Sequence, residues 1–86
     1  MRVLIPTPLR SYTSGRAEVE ASGATLAELL HDLDAASPGI RFRMIDEQDR
    51  FRQHIRIFVN RERALDLHQP LADGDEVQII CAISGG

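Results

Sequence analysis

An α+β fold is predicted, with one main helix lying on one face of a mixed four- to five-stranded sheet. Three patterns in the 86 residues carry that expectation. Arg16 to Ala21 alternates, with Ala17, Val19 and Ala21 inward and Arg16, Glu18 and Glu20 outward, the period of a half-buried strand. Leu26, Leu29, Leu30 and Leu33 then recur at i, i+3, i+4 and i+7, one apolar stripe along a helix. From Glu76 to Ile83 the alternation returns, with Val77, Ile79, Cys81 and Ile83 on one side and Gln78, Ile80 and Ala82 on the other.

The first strand is placed at Val3 to Leu9, with Val3, Ile5, Thr7 and Leu9 sharing a face and Leu4, Pro6 and Pro8 opposite. Its two prolines remove two donors and push the segment to an edge or off the ladder. Ser11 to Gly15 reads as the turn of a hairpin leading into the Arg16–Ala21 strand. The helix opens on a capping box, Thr25 with Glu28 three residues on, and closes at Ser37-Pro38-Gly39. Ile40 to Gln53 mixes Ile40, Phe42, Met44, Ile45 and Phe51 with charges, and is expected to plug one end of the core, with at least three of the five buried. His54 to Asn60 is a strand, inward at Ile55, Ile57 and Val59 and outward at His54, Arg56 and Phe58. Asn60 to Arg63 turns the chain, Leu65 to Leu71 holds a short extended piece, and Asp73-Gly74 is a tight turn before the last strand. Hairpin, helix, strand, short strand and final strand, in that order, make a β-grasp. Residues 1–86 then form a single domain, with a flexible Gly-Gly tail at 84–86 projecting beyond the sheet.

Composition narrows the function. An apolar content of 43% is enough for one core, and with only 5% aromatics that core must be aliphatic. A net charge of −3 offers no footprint for nucleic acid and no polybasic membrane patch. A single cysteine forms no internal disulfide, and neither a signal peptide nor a run of about 20 apolar residues is present, so a cytoplasmic, soluble domain is expected. All ten basic residues are arginine, so no side-chain amine is available for isopeptide or Schiff-base chemistry.

The sequence ends Ala82-Ile83-Ser84-Gly85-Gly86. Paired glycines contribute little to a fold, since they carry the largest entropy cost on ordering and pack nothing. Ser84, Gly85 and Gly86 instead offer a thin peptide whose carboxylate can enter a narrow active site. Gly86 is therefore the candidate chemical site.

Taken in order, Val3-Leu4-Ile5-Pro6-Thr7-Pro8-Leu9-Arg10, Thr25-Leu26-Ala27-Glu28-Leu29-Leu30, Ile57-Phe58-Val59-Asn60, Leu71-Ala72-Asp73-Gly74-Asp75-Glu76-Val77 and the Gly-Gly end resemble the MoaD/ThiS family of ubiquitin-like sulfur carriers. The resemblance covers nearly the whole chain. Ile5-Pro6-Thr7, Leu9-Arg10 and the long middle segment are most similar to its CysO branch, carriers for cysteine biosynthesis. It implies a ubiquitin-activating-type adenylating and sulfurtransferase enzyme that uses ATP on the Gly86 carboxylate, after which a sulfur donor yields a thiocarboxylate. In the CysO branch the thiocarboxylate attacks an activated serine derivative in a PLP-dependent cysteine synthase, and a metalloprotease releases cysteine. MoaD serves molybdopterin synthase instead, and ThiS a thiazole synthase. The carrier itself would be no enzyme and would bind no cofactor or metal. The alternatives are a ubiquitin-like modifier conjugated through Gly86 and a plain interaction module.

Phe58 and Ile80, with Pro6, Pro8 and Leu4, converge on the sheet face opposite the helix and suggest a docking patch. The resemblance adds Arg10, after the first strand, as a contact for the adenylating partner. Cys81 shares parity with Val77 and Ile79 and is read as buried and inert. His31, His54 and His68 have no metal spacing. Asp73 and Asp75 are read as turn chemistry, and the acids from Asp32 to Asp49 as a solvated face.

Overall fold

The structure, a computed structural model, describes residues 1–82. Alternating residues form five strands: β1 (Arg2–Leu4), β2 (Glu18–Glu20), β3 (Ile55–Val59), β4 (Glu62–Arg63) and β5 (Glu76–Cys81). They make one sheet in the order β2-β1-β5-β3-β4, with β1 parallel to β5 and every other pair antiparallel. The last strand thus returns beside the first, as the β-grasp expectation requires. Val3 lies opposite Val19 and Val77, and Ile57 opposite Ile79, so one sheet face is an aliphatic surface.

Helix α1 (Leu26–Ala36) covers that face. Leu26, Leu29, Leu30 and Leu33 are all buried, each burial contributing about 1.5–3 kcal/mol. The Thr25 hydroxyl oxygen accepts the Glu28 N–H at 3.3 Å. Glu28 returns one residue further back than a capping box expects, its Oε1 accepting the Ala24 N–H at 3.0 Å. The backbone N–H groups of Leu26 and Ala27 donate instead to the carbonyls of Gln69 and Leu67, so a distant loop satisfies part of the helix start. Gly23 lies so close to this turn that a Cβ there would stand 2.5 Å from the Leu29 nitrogen, which no side chain tolerates.

The middle segment is a plug. Helix α2 (Ile40–Met44) buries Ile40 and Met44, Ile45 follows them into the core, and Phe51 packs partly against it. Phe42 does not join them: it is 56% exposed. A helical turn that aims Ile40 and Met44 inward, four residues apart, must aim residue 42 away.

Three further expectations need correction. The first strand ends at Leu4, and Thr7–Thr13 is a 3₁₀ helix. Pro6 caps it and Pro8 sits in its first turn, positions that ask for no N–H, so the prolines mark a helix start rather than a strand edge. Leu9 is nevertheless buried, while Thr7 is exposed; the turn shrinks to Ser14-Gly15. Ala17 is exposed rather than inward, because β2 begins only at Glu18. The short strand is Glu62–Arg63 and not Leu65–Leu71. Val59 and Glu62 pair across Asn60 and Arg61, both with positive φ (51° and 73°), as a two-residue type I′ hairpin requires. Leu65, read as part of a strand, is 82% exposed.

Asn60 then ties this hairpin to β5, its Nδ2 donating to Asp75 Oδ1 at 2.8 Å and its Oδ1 accepting the Glu76 N–H at 2.9 Å. Asp75 Oδ2 also accepts the Ala72 N–H at 2.8 Å. These bonds, the Ala72 amide first and the Asn60 amide second, hold the Asp75 carboxyl below its usual pKa. A depressed carboxylate stabilises the fold at pH values above the ordinary aspartate value of about 3.9, and the effect is lost as pH falls through the folded-state value. Asp75→Asn should therefore lower the neutral-pH melting temperature slightly and flatten its decline in acid; melting curves from pH 7 to pH 3 check this.

Candidate docking groove

Strand parity sets out the open sheet face as rows. One row runs Glu18, Leu4, Gln78, Phe58 and Arg63 across all five strands, and Ile80 faces Arg56 in the next. At the other end of the face Arg2 pairs with Glu76 and, at 3.7 Å, with Glu18. The face thus carries ion pairs at one end, and at the end where β5 finishes it sets Ile80 beside Arg56.

Because β1 stops at Leu4, the far half of β5 is flanked by the chain from Ile5 into the 3₁₀ helix. An open groove of about 680 Å³ lies between them, walled by Leu4, Pro6, Pro8, Ala17 and Ile80, with Arg10 on its rim. Arg10 is not free to wander. Its Nε donates to the Ile5 carbonyl at 3.0 Å, and its own carbonyl accepts from the Thr13 hydroxyl and the Gly15 amide. A guanidinium fixed beside an apolar wall suits a partner surface that brings an apolar side chain and a carboxylate or carbonyl together.

The structure therefore brings Pro6, Arg10 and Ile80 to one place. Phe58 shares the face but not the groove, since Gln78 stands between it and Leu4. Ser84, Gly85 and Gly86 lie outside the described residues. Gln78 and Arg56 were not among the expected contacts, although the alternation that exposes Ile80 and Phe58 exposes them too. Cys81 is half-buried rather than buried; burial pushes its thiol pKa up, and the nearby Arg43 opposes that shift. Among the described residues no group of three or more His, Cys, Asp or Glu side chains could hold a metal ion, and no helix is long and apolar enough to cross a membrane.

Comparison with known proteins identifies the family and the fold. The ThiS family model matches residues 3–86. A sulfur carrier protein CysO from Mycobacterium bovis is 40% identical over 89 residues, covering 98% of this chain and 96% of that protein. Among solved structures, a chain of the Amycolatopsis orientalis BexX/CysO complex superposes with a TM-score of 0.91 at 36% identity, covering 99% of this chain and 98% of its own. Mycobacterium tuberculosis CysO gives 0.90 at 38% identity, covering 95% and 98%. With its ubiquitin-like β-grasp sheet and a match that runs from β1 through Gly86, this chain belongs to the ThiS family.

Proposed function

We infer that the chain is a sulfur carrier, a protein co-substrate rather than an enzyme, which delivers sulfur to biosynthesis as a thiocarboxylate on Gly86. The observation that carries this reading is the full-length family match through Gly86, together with 40% identity to proteins named as sulfur carriers.

A free carboxylate resists nucleophiles, so the chemistry begins with activation by a partner. The Gly86 carboxylate oxygen attacks the α-phosphorus of ATP, pyrophosphate leaves, and an acyl-adenylate forms. Hydrosulfide then attacks the acyl carbon, AMP leaves with its bonding pair, and loss of the proton on sulfur leaves the thiocarboxylate. ATP belongs to the activating enzyme. Cysteine biosynthesis through a PLP-dependent synthase is the acceptor pathway favoured by the likeness to CysO. Similarity to a chain that was solved as a BexX/CysO complex supports a stable encounter with a protein partner.

Mass spectrometry of the protein purified from its native host tests the reading. A species in which one terminal oxygen is replaced by sulfur is expected. An isopeptide adduct would replace the carrier with a modifier, and unmodified acid under sulfur-demanding growth would favour a plain interaction module.

The groove is the surface on which the activating enzyme docks. Arg10→Ala and Ile80→Ala should each raise the dissociation constant about tenfold, roughly 1.4 kcal/mol. Phe58→Ala, outside the groove, should cost less. Titration calorimetry with the activating enzyme, alongside melting curves unchanged by more than a few degrees, checks all three. Normal binding by the Arg10 and Ile80 variants would misplace the docking face.

A further inference from the structure

A second surface flanks the end of β5, on the side away from the groove. Phe42, Arg43, Arg52 and His54 enclose a hollow of about 250 Å³. It is a built feature. The Arg52 guanidinium stacks over the Phe42 ring at 4.6 Å, its Nε donates to the Phe42 carbonyl at 2.7 Å, and its backbone N–H is bonded to the Met44 carbonyl. Those contacts hold an exposed aromatic ring and a cation in one orientation on the outer side of the plug.

Its place in the fold gives it meaning. The His54 carbonyl accepts the Ala82 N–H at 2.7 Å, and Ile55 faces Cys81, so the hollow adjoins the point from which residues 83–86 depart. Its charge is also distinctive. Arg41 is paired with Asp49 at 3.2 Å, whereas Arg43 and Arg52 make no ion pair among the described residues. Asp46, on the same segment, accepts the Gln48 and Arg50 amides and acts on Arg52 only without a contact pair, which leaves two cations beside one nearby anion. In a chain of net charge −3, this is a local patch of the opposite sign.

We propose that the Phe42–Arg43–Arg52–His54 hollow is a second docking surface, one that receives carboxylates on the rim of the enzyme channel admitting the Gly-Gly end. It rests on the carrier reading. An enzyme that draws residues 84–86 into a channel brings its rim against both flanks of Ala82, the groove with Arg10 on one side and this hollow on the other. An acidic rim would be repelled by the chain's net charge except at these cations, so the patch orients the approach as well as holding it. The Phe42 ring contributes an apolar floor and fixes the Arg52 fork for bidentate contact with a carboxylate.

The test uses the full-length protein and its activating enzyme. Dissociation constants are measured by calorimetry at low and high salt for the wild type, Arg43→Glu, Arg52→Glu and Arg43→Lys, with adenylation followed separately as pyrophosphate release. Arg43→Glu, whose side chain makes no hydrogen bond among the described residues, guards against a folding artefact at Arg52. Each reversal should weaken binding about tenfold or more at low salt and far less at high salt, where the Debye length shrinks, while Arg43→Lys should bind nearly as the wild type does. Unchanged binding by both reversals, or a loss insensitive to salt, overturns the proposal. A wild type that binds but is not adenylated would overturn the carrier reading alone, and the reversals would still decide the docking surface; a wild type that does not bind overturns both.

Discussion

Replacing Leu30 by alanine is expected to cost about 2–5 kcal/mol of stability. The methyl groups removed lie on the α1 stripe, where Leu30 is 0% exposed. It belongs to one buried cluster with Val3 and Val77 from the sheet, Ile40 and Met44 from the plug, and Leu26, Leu29 and Leu33 from its own helix. Residues from every layer meet there, so no neighbour can collapse into the cavity without disturbing another element, and the cost belongs at the upper part of that range. A small domain has roughly 5–15 kcal/mol in all. At about 4–8 °C per kcal/mol, the melting midpoint should fall by roughly 10 °C or more. Leu65→Ala is the control. Leu65 is 82% exposed, and the same chemical change there should stay within about 0.5 kcal/mol. Denaturant melts of both variants decide the matter: equal stabilities would mean that the leucine stripe is not the core.

The contrast between Leu30 and Leu65 also shows what the sequence could reveal. Periodicity identifies a buried leucine where several of them repeat on one face, and α1, β3 and β5 were legible for that reason. Leu65 belongs to no repeating pattern, and being apolar did not place it inside. Where the backbone departed from a regular period, local residues were read through the wrong element. Pro6 and Pro8 carry the same chemical fact, a missing N–H, whether at a strand edge or in the first turn of a helix; the Leu9 N–H closing a turn onto the Pro6 carbonyl decides for the helix. The Thr25 half of the capping box was legible, while Glu28 reaches back to the Ala24 N–H and the next two amides of the helix are met from elsewhere in the chain. Gln69 and Leu67, some forty residues downstream in the chain, offer carbonyls to the helix start, and no local pattern reports a partner so distant.

The docking groove was legible in part. Alternation places Ile80 and Phe58 on the open face, but alternation says nothing about neighbours across strands, and the register puts Gln78 between Leu4 and Phe58. Arg10 entered through family resemblance, and its fixing by the Ile5 carbonyl is a consequence of the 3₁₀ helix that the sequence did not disclose. The expectation that at least three of the five plug residues are buried is met by Ile40, Met44 and Ile45, and Phe42 is not one of them. Helical geometry sends it outward, where it supports the basic hollow instead.

Adding one residue after Gly86 is expected to abolish activation while leaving the fold intact. Every described strand ends by Cys81, and among the described residues the core draws on nothing later in the chain than its packing contact with Cys81. The extended protein should therefore melt at the temperature of its parent. Its carboxylate, however, is carried about 3.3–3.6 Å further along the chain. In-line attack on a phosphorus atom requires reacting atoms held to a fraction of that distance, and a misplacement of about 1 Å can cost a factor of about 100. Adenylation should accordingly fall by at least roughly 100-fold, and the thiocarboxylate should not accumulate. Deleting Gly86, or enlarging Gly85, gives the same loss by removing or obstructing the acid, but each also alters the peptide the enzyme must grip. The extension keeps both glycines and changes only where the carboxylate sits, so it isolates position from recognition. Pyrophosphate release with the activating enzyme, in the absence of a protease able to trim the added residue, measures the effect. If the extended protein binds through the Arg10 groove as the parent does yet is not adenylated, docking and chemistry are separate properties of this chain. If it is adenylated and loaded with sulfur at the parental rate, Gly86 is not the reacting group, and the carrier mechanism must be abandoned even though the fold and the family stand.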